Sequence, residues 1–233
     1  MLKAVLFDLD GTLLPMNEED FIKQYLGLIF KYVAHLGYQK DLIDNILVGT
    51  KKMYKNDGAR TNEEVFWKHF EEIYGEKCLK DKEVFDKFYT TEFKKTKVCC
   101  GSNPVAREII DYVKNCGLKI ILATNPVFPI AGMITRLEFI GLKEEDFNYI
   151  TGYENTTYCK CNPKYYEEIL SKNNLKADEV VFFGNSEKDD YRNATDVGIK
   201  SYLVGDDIKW VDEKNEVTHL ELDQIIPTIK NFK

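Results

Sequence analysis

The period of the hydrophobic positions changes twice along the chain, and the changes separate three stretches. Val5-Leu6-Phe7 is a short continuous apolar run, the pattern of a strand buried on both faces of a parallel sheet. After Leu14-Pro15 the period becomes helical. Phe21, Tyr25, Leu28, Ile29, Tyr32 and Leu36 recur at three- and four-residue steps, and Ile43, Ile46, Leu47 and Met53 continue the pattern from Asp41. Thr61-Asn62-Glu63-Glu64 has the form of a capping box and leads Val65, Phe66, Phe70, Ile73 and Tyr74. Val84, Phe85, Phe88 and Phe93 mark a fourth helix starting near Asp81. A crossover between parallel strands needs only about a dozen residues. The interval 15–98 is several times that, so it is expected to be a module of its own, a bundle of four amphipathic helices.

From Cys99 onward, helices and strands alternate. Asn103-Pro104 reads as N-cap and N1 for a helix carrying Val105, Ile109, Ile110 and Val113 to Gly117. Leu118–Ala123 is the next strand, and a helix from about Pro129 runs through Ile130, Met133, Ile134 and Leu137 to Gly141. A short strand at Phe147–Thr151 precedes the polar loop Gly152–Cys161. Asn162-Pro163 then caps a helix bearing Tyr166, Ile169 and Leu170. Glu179–Phe183 and Lys200–Val204 are strands on either side of a helix around Asp190–Val197. Val217–Leu220 is a weak edge strand, and Leu222–Ile229 a terminal helix. This alternation predicts an α/β core, a doubly wound parallel sheet formed by residues 1–14 and 99–233.

Chemistry enters at Asp8-Leu9-Asp10-Gly11-Thr12, where the first strand ends. Open α/β sheets bind ligands at the carboxyl ends of their strands, and residues i and i+2 of a strand share a face. Asp8 and Asp10 therefore aim at one small volume. Two carboxylates that close do not both stay ionised without a cation or a shared proton. Gly11 lets the backbone turn sharply out of the sheet. The run Phe7-Asp8-Leu9-Asp10-Gly11-Thr12-Leu13 resembles the first motif of the haloacid dehalogenase-like (HAD) hydrolases, mostly Mg²⁺-dependent phosphatases.

The resemblance implies a HAD-like Rossmannoid core in which Asp8 attacks phosphorus and Asp10 serves as general acid and base. It also implies that a helical insertion directly after this motif is a cap over the active site, of the C1 type. Thr124, at the end of an apolar strand, corresponds to the second motif, with the backbone N–H of Asn125 joining it on the phosphoryl oxygens. For the phosphate-balancing lysine, Lys160 and Lys164 compete. Asn162 as N-cap and Pro163 at N1 place Lys164 on the first helical turn, whereas Lys160 stays in the loop on the side where the strands end. The family pattern K-P-x-P lines up as Lys160-Cys161-Asn162-Pro163, with Cys161 in place of the first proline. Gly11, Thr124, Asn125 and Lys160 are thus the expected phosphate-binding residues.

Gly184-Asn185-Ser186-Glu187-Lys188-Asp189-Asp190 resembles the acidic fourth motif, G-D-x-x-x-x-D, with Asn185 where a metal-binding Asp is usual. An Asn carbonyl oxygen still ligates a hard cation, with one less negative charge. The expected Mg²⁺ ligands are Asp8, the Asp10 backbone carbonyl, Asn185 and Asp190, with Asp189 as a second candidate one residue off the spacing.

The formal net charge of −7 opposes a nucleic-acid surface, because phosphate backbones are bound by an excess of Lys and Arg. The first apolar run passes straight into Asp8 and Asp10, unlike a signal peptide, and no apolar stretch reaches spanning length. A soluble cytoplasmic protein, by default a monomer, is expected. Cys78, Cys99, Cys100, Cys116, Cys159 and Cys161 are then reduced thiols, and none shows the C-x₂-C spacing of structural zinc. His35, His69 and His219 fall outside these motifs, and no G-x-G-x-x-G or Walker lysine pattern is present.

The expected activity is Mg²⁺-dependent hydrolysis of a small phosphorylated metabolite through an aspartyl-phosphate on Asp8. The alternatives are a phospho-ligand binding or regulatory protein with weakened catalysis, a phosphomutase, and a dehalogenase on the same fold. Lys52, Lys55, Asn56, Arg60 and the Asn17–Asp20 turn are polar enough to contact a leaving group.

Overall fold

The computed structural model describes residues 1–211, 217 and 219–232. β1 (Ala4–Phe7) is followed by four helices, α1 (Glu18–Tyr32), α2 (Leu42–Tyr54), α3 (Asn62–Tyr74) and α4 (Lys77–Thr90). A 3₁₀ stretch, Glu92–Cys99, leads back to the alternating part: α5 (Ala106–Asn115), β2 (Lys119–Leu122), α6 (Ile130–Phe139), β3 (Tyr149–Ile150), α7 (Lys164–Asn173) and β4 (Val180–Gly184). A π-helical turn (Glu187–Arg192), α8 (Asn193–Asp196), β5 (Lys200–Val204), β6 (His219–Leu220) and α9 (Ile225–Lys230) complete it.

The strands form one sheet in the order β3-β2-β1-β4-β5-β6, with every pairing parallel. Side chains of successive strand residues point to opposite faces, and the core divides accordingly. Val5 and Phe7 join Ile120, Leu122, Val181 and Phe183 beneath α5, α6 and α9. Ala4 and Leu6 join Ile121, Val180 and Phe182 beneath α7. Burying a Phe or Leu contributes about 1.5–3 kcal/mol, and β1 is apolar at every position because both its faces are covered. Its place in the middle of the sheet follows.

The helical insertion builds a separate, aromatic-rich cluster around Phe70, Phe85, Phe88 and Phe93. Tyr153 and Cys159, from the sheet half, are part of that cluster, so the bundle is packed onto the loops above the strands. The turn Asn17–Asp20 opens α1: the Asn17 side chain accepts from the Asp20 N–H at 3.1 Å, and three acidic residues occupy the positive end of the helix dipole.

Several boundaries differ from expectation: the strand expected at Phe147–Thr151 is Tyr149–Ile150, and the helix expected from Leu222 becomes α-helical at Ile225. α4 begins at Lys77 rather than near Asp81, with no side-chain cap to announce it. Its first turn is instead held by Cys78, fully buried in the aromatic cluster. Asn103 does cap α5, accepting from the Val105 and Ala106 N–H groups at 3.2 and 3.1 Å, but regular helix starts two residues after Pro104. The segment expected as one helix around Asp190–Val197 is a π-helical turn followed by a single short helix. The cause is Asp190, whose carboxylate accepts from the Asn185 and Ser186 N–H groups at 2.9 Å each and winds the backbone around itself. Of the expected edge strand Val217–Leu220, residues 219–220 pair with β5 and Thr218 lies outside the described residues.

Candidate active site

β1 lies where the strand order reverses, with β2 on one side and β4 on the other. The loops leaving these three strands, and the loop before α7, open on the same side of the sheet, in the crevice that such a reversal creates. Asp8 leaves β1 directly into that crevice. Its N–H is held by the Phe183 carbonyl at 2.9 Å, so the sheet ladder itself sets the position of the carboxylate.

Lys160 is the hub. Its ammonium donates to Asp8 Oδ1 at 2.5 Å and to Asp190 Oδ1 at 2.7 Å, and all three residues are at most 5% exposed. The backbone of Lys160 is fixed at both ends: its N–H donates to Asn125 Oδ1 at 3.3 Å, and its carbonyl accepts from Asn193 Nδ2 at 2.7 Å. Thr12 Oγ1 donates to the other oxygen of Asp8 at 3.3 Å. Burial pushes the Asp8 carboxyl above the ordinary carboxylate range, and Asp190 and Asp10 add to the rise against the pull of Lys160. Burial works to lower the Lys160 ammonium, but the two carboxylates more than reverse it and keep it charged.

Asp10 faces a partner that sequence reading misses. Arg136, on α6 and 1% exposed, forms an ion pair through Nη1 with Asp10 Oδ2. The guanidinium also lies 4.9 Å from the Phe128 ring centroid and 5.8 Å from that of Phe21, within cation–π range. Asp10 Oδ1 is buried with no hydrogen-bond partner. The available signal was an arginine among the inward-facing positions Met133 and Leu137 of an apolar helix.

Thr124 is fixed by its backbone, its N–H donating to Thr151 Oγ1 at 3.1 Å and its carbonyl accepting from the Tyr165 hydroxyl at 2.7 Å. Asn125 Nδ2 donates to the Tyr54 hydroxyl at 2.8 Å and ties this loop to α2. Thr124, Asn125, Lys160, Asn185 and Asp190 line one cavity of about 240 Å³ with Asp8 and Asp10. The insertion adds Glu18, from the turn expected to contact a leaving group, and Phe21, Ile22 and Tyr54 to its walls; Ile22 and Tyr54 carried no expectation from the sequence. Lys209 lines the cavity too, ion-paired with Glu18.

Other expected residues are elsewhere. Gly11 lines a neighbouring cavity; its φ of +80° and the approach of Asn185, whose Nδ2 would lie 2.1 Å from any Cβ there, require glycine. Lys164 is exposed, with its ammonium 5.6 Å from the Tyr158 ring centroid, which leaves the inner position to Lys160. Asp189 lines the Asp8 cavity beside Asp190, but Asp190 is the carboxylate held by Lys160. Lys52, Asn56 and Arg60 line a separate surface hollow of about 400 Å³, with Lys52 paired to Glu72 at 3.1 Å. Lys55 is exposed and does not line the Asp8 cavity.

The residues at the Asp8 cavity also fit a hard cation. All the expected donors are oxygens: the Asp8 and Asp190 carboxylates, the Asp10 carbonyl and the Asn185 amide. Asn185 Nδ2 donates to the Asp207 carbonyl at 2.8 Å, so its Oδ1 is the limb left for a ligand. This set suits Mg²⁺, which takes one or two carboxylates and keeps water and substrate phosphate as its remaining ligands. Among the described residues no three His, Cys, Asp or Glu side chains form a group able to hold a metal ion. All six cysteines are free thiols.

Comparison with known proteins bears on the family and the fold. The sequence model of the haloacid dehalogenase-like hydrolase family matches residues 5–204. No curated protein matches the chain. Among solved structures, a HAD phosphatase from Thermococcus onnurineus is 19% identical, with a TM-score of 0.58 and 98% of each chain covered. A 2-haloacid dehalogenase from Pseudomonas syringae pv. Tomato DC3000 is 16% identical, with a TM-score of 0.64 and 100% of each chain covered. CbbY from Rhodobacter sphaeroides, solved in complex with phosphate, is 15% identical, with a TM-score of 0.58 over 94% of this chain and 93% of that one. At such identities these likenesses concern the fold.

Proposed function

The chain belongs to the haloacid dehalogenase-like hydrolases, and from that membership we propose that it hydrolyses phosphate monoesters of small metabolites through an aspartyl-phosphate on Asp8. The observation that carries this reading is the buried Asp8 carboxylate, pinned between Lys160 and Thr12 at the switch point of the sheet. A carboxylate oxygen of Asp8 attacks phosphorus while the bond from phosphorus to the ester oxygen breaks. The departing oxygen takes a proton from Asp10. Water then attacks the aspartyl-phosphate and gives its proton to Asp10, releasing phosphate and restoring the Asp8 carboxylate. Arg136 holds Asp10 by Oδ2, so Oδ1 is the oxygen left to carry that proton. Acid–base assistance of this kind is worth roughly 10²–10⁴ in rate.

Lys160 offsets charge on the phosphoryl group, joined by the Thr124 hydroxyl and the Asn125 N–H. Mg²⁺ held by Asp8, the Asp10 carbonyl, Asn185 and Asp190 would supply further neutralisation at the phosphoryl oxygens. Residues 15–98 would act as the cap, and a monomeric cytoplasmic enzyme completes the reading. The test is release of inorganic phosphate from a generic aryl phosphate with added magnesium. Wild type is expected to release it and Asp8→Asn to be silent; equal rates in the two proteins would sink the proposal.

The Asp10–Arg136 ion pair favours one second reading. An Asp10 engaged by Arg136, in a site with an amide at position 185, also suits displacement of halide from carbon by Asp8, a reaction that needs neither an acid nor a metal. Halide release from a 2-haloacid in the presence of a chelator, with no phosphate release from esters, would decide for it.

A further inference from the structure

The walls of the cavity above Asp8 differ in chemistry from its floor, and that difference bears on what the phosphoryl group is attached to. The helical insertion and the loop after β2 bring apolar side chains to the lining: Met16, Phe21 and Ile22 from the first, Val127 and Phe128 from the second. Ile22 is 46% exposed, so it faces the opening of the cavity rather than the aromatic cluster. Polar groups stand among them: Glu18, and the Tyr54 hydroxyl, which accepts from Asn125 and keeps its own proton to donate.

The charges point the same way. Beyond Lys160, already shared by Asp8 and Asp190, the basic side chain lining the cavity among the described residues is Lys209, itself paired with Glu18. Glu18 and Asp189 contribute two further carboxylates to the lining. A second phosphate or a carboxylate on the substrate would meet this negative excess without a free cation. Sugar hydroxyls against Phe21, Ile22, Val127 and Phe128 would lose their water, at about 1–3 kcal/mol for each left without a partner. The volume of about 240 Å³ lies below the roughly 300–1,000 Å³ of drug-sized sites.

We infer, building on the phosphatase reading, that the released alcohol is small, uncharged and largely apolar, so the substrates are monophosphates of aromatic or aliphatic alcohols rather than bisphosphates, phospho-acids or phosphorylated sugars. The leaving-group wall selects by which buried surface it can satisfy, and it leaves the chemistry at Asp8 unchanged.

The test compares primary-alcohol esters, so that leaving-group reactivity is matched. With the full chain and magnesium, kcat/KM for benzyl phosphate is expected to exceed that for glucose 6-phosphate and for 2-phosphoglycolate by about 30-fold. The gain should appear mainly in KM, since the wall binds ground and transition states alike. Ile22→Lys is expected to narrow the gap to 2-phosphoglycolate about tenfold. A ratio near one, or a preference for the acid or the sugar, overturns the inference. Benzylphosphonate and phosphonoacetate, which are not hydrolysed, are ranked separately by thermal shift. If no ester releases phosphate, the phosphatase reading fails, while a larger shift with benzylphosphonate still supports the selectivity and an equal or absent shift overturns it.

Discussion

At the residue scale, Arg136 decides how the second carboxylate of the site behaves. A buried guanidinium needs a partner, and Asp10 provides it across 126 positions of sequence. Removing one member of a buried ion pair leaves the other charged and unsolvated, at about 3–5 kcal/mol. Arg136→Met is therefore expected to lower stability by about 3 kcal/mol in urea denaturation, and to reduce kcat with little change in KM because Asp10 loses its orientation. Arg136→Lys should recover part of the turnover. Full stability in the Met variant would show that the pair is not buried in solution. Asn185 calls for a different experiment. Asn185→Asp restores the carboxylate of the family motif beside Asp8 and Asp190, so the rise in Tm on adding magnesium should be larger than in wild type, following ligand linkage. Equal rises would mean that position 185 does not touch the metal. Asp8, Lys160 and Asp190 were legible in the sequence because motif spacing and strand ends place them; Arg136 was not, since nothing local pairs it with Asp10.

At the scale of elements, two carboxylates hold loops to helices with opposite dependence on pH. α6 starts behind Pro129 with no side-chain cap of its own, and Glu154, from the loop after β3, serves instead, both its oxygens 3.0 Å from the Ile130 nitrogen. Burial pushes Glu154 up to about 7 from an ordinary 4.5. A carboxyl raised on folding contributes stability that is complete below its unfolded value and is lost as pH rises through the folded one. Wild-type Tm should therefore fall between about pH 5 and about pH 8 more steeply than that of Glu154→Gln, which keeps an acceptor for Ile130. Parallel curves would remove Glu154 from the account. Asp146 behaves in the reverse sense. Burial alone would raise it, but hydrogen bonds from Arg107, Lys114 and the Lys143 N–H outweigh that and hold it well below the carboxylate range. Its contribution is present above about 3.8 and fades as pH falls. Asp146→Asn should cost about 2 kcal/mol at neutral pH, at the low end for a buried pair because its partners are half exposed, and nothing at strongly acid pH. Helix faces and the Thr61 capping box, present as expected, were readable from spacing alone. The start of α4 and the winding around Asp190 were not, because each is set by what the backbone packs against.

At the scale of the molecule, the helical insertion is seated on the sheet half by a few polar contacts around an aromatic interior. Trp67 Nε1 donates to the Tyr153 hydroxyl at 3.3 Å, and the Tyr158 hydroxyl donates to the Asp57 carbonyl at 3.1 Å. Tyr158 reaches Asp57 only by passing over Gly58: a Cβ there would lie 2.1 Å from its hydroxyl, and φ is +89°. Gly58→Ala should therefore tilt the insertion at this edge, lowering kcat/KM several-fold for a stability loss of about 1–2 kcal/mol. Unchanged kinetics would show that this seat does not shape the cavity.

The amino-acid order by itself determined the parallel sheet, the helical insertion and the central acid–lysine constellation. These are written in hydrophobic period, in punctuation by capping residues, glycine and proline, and in motifs whose residues lie at strand ends. Only the tertiary structure decided that Arg136 grips Asp10, and that Phe21, Ile22, Val127 and Phe128 line the cavity beside Asp8. The physical reason is range. Backbone pattern is a property of neighbours in the chain, whereas the charge balance and shape of a cavity come from side chains that chain folding alone brings within a few ångströms.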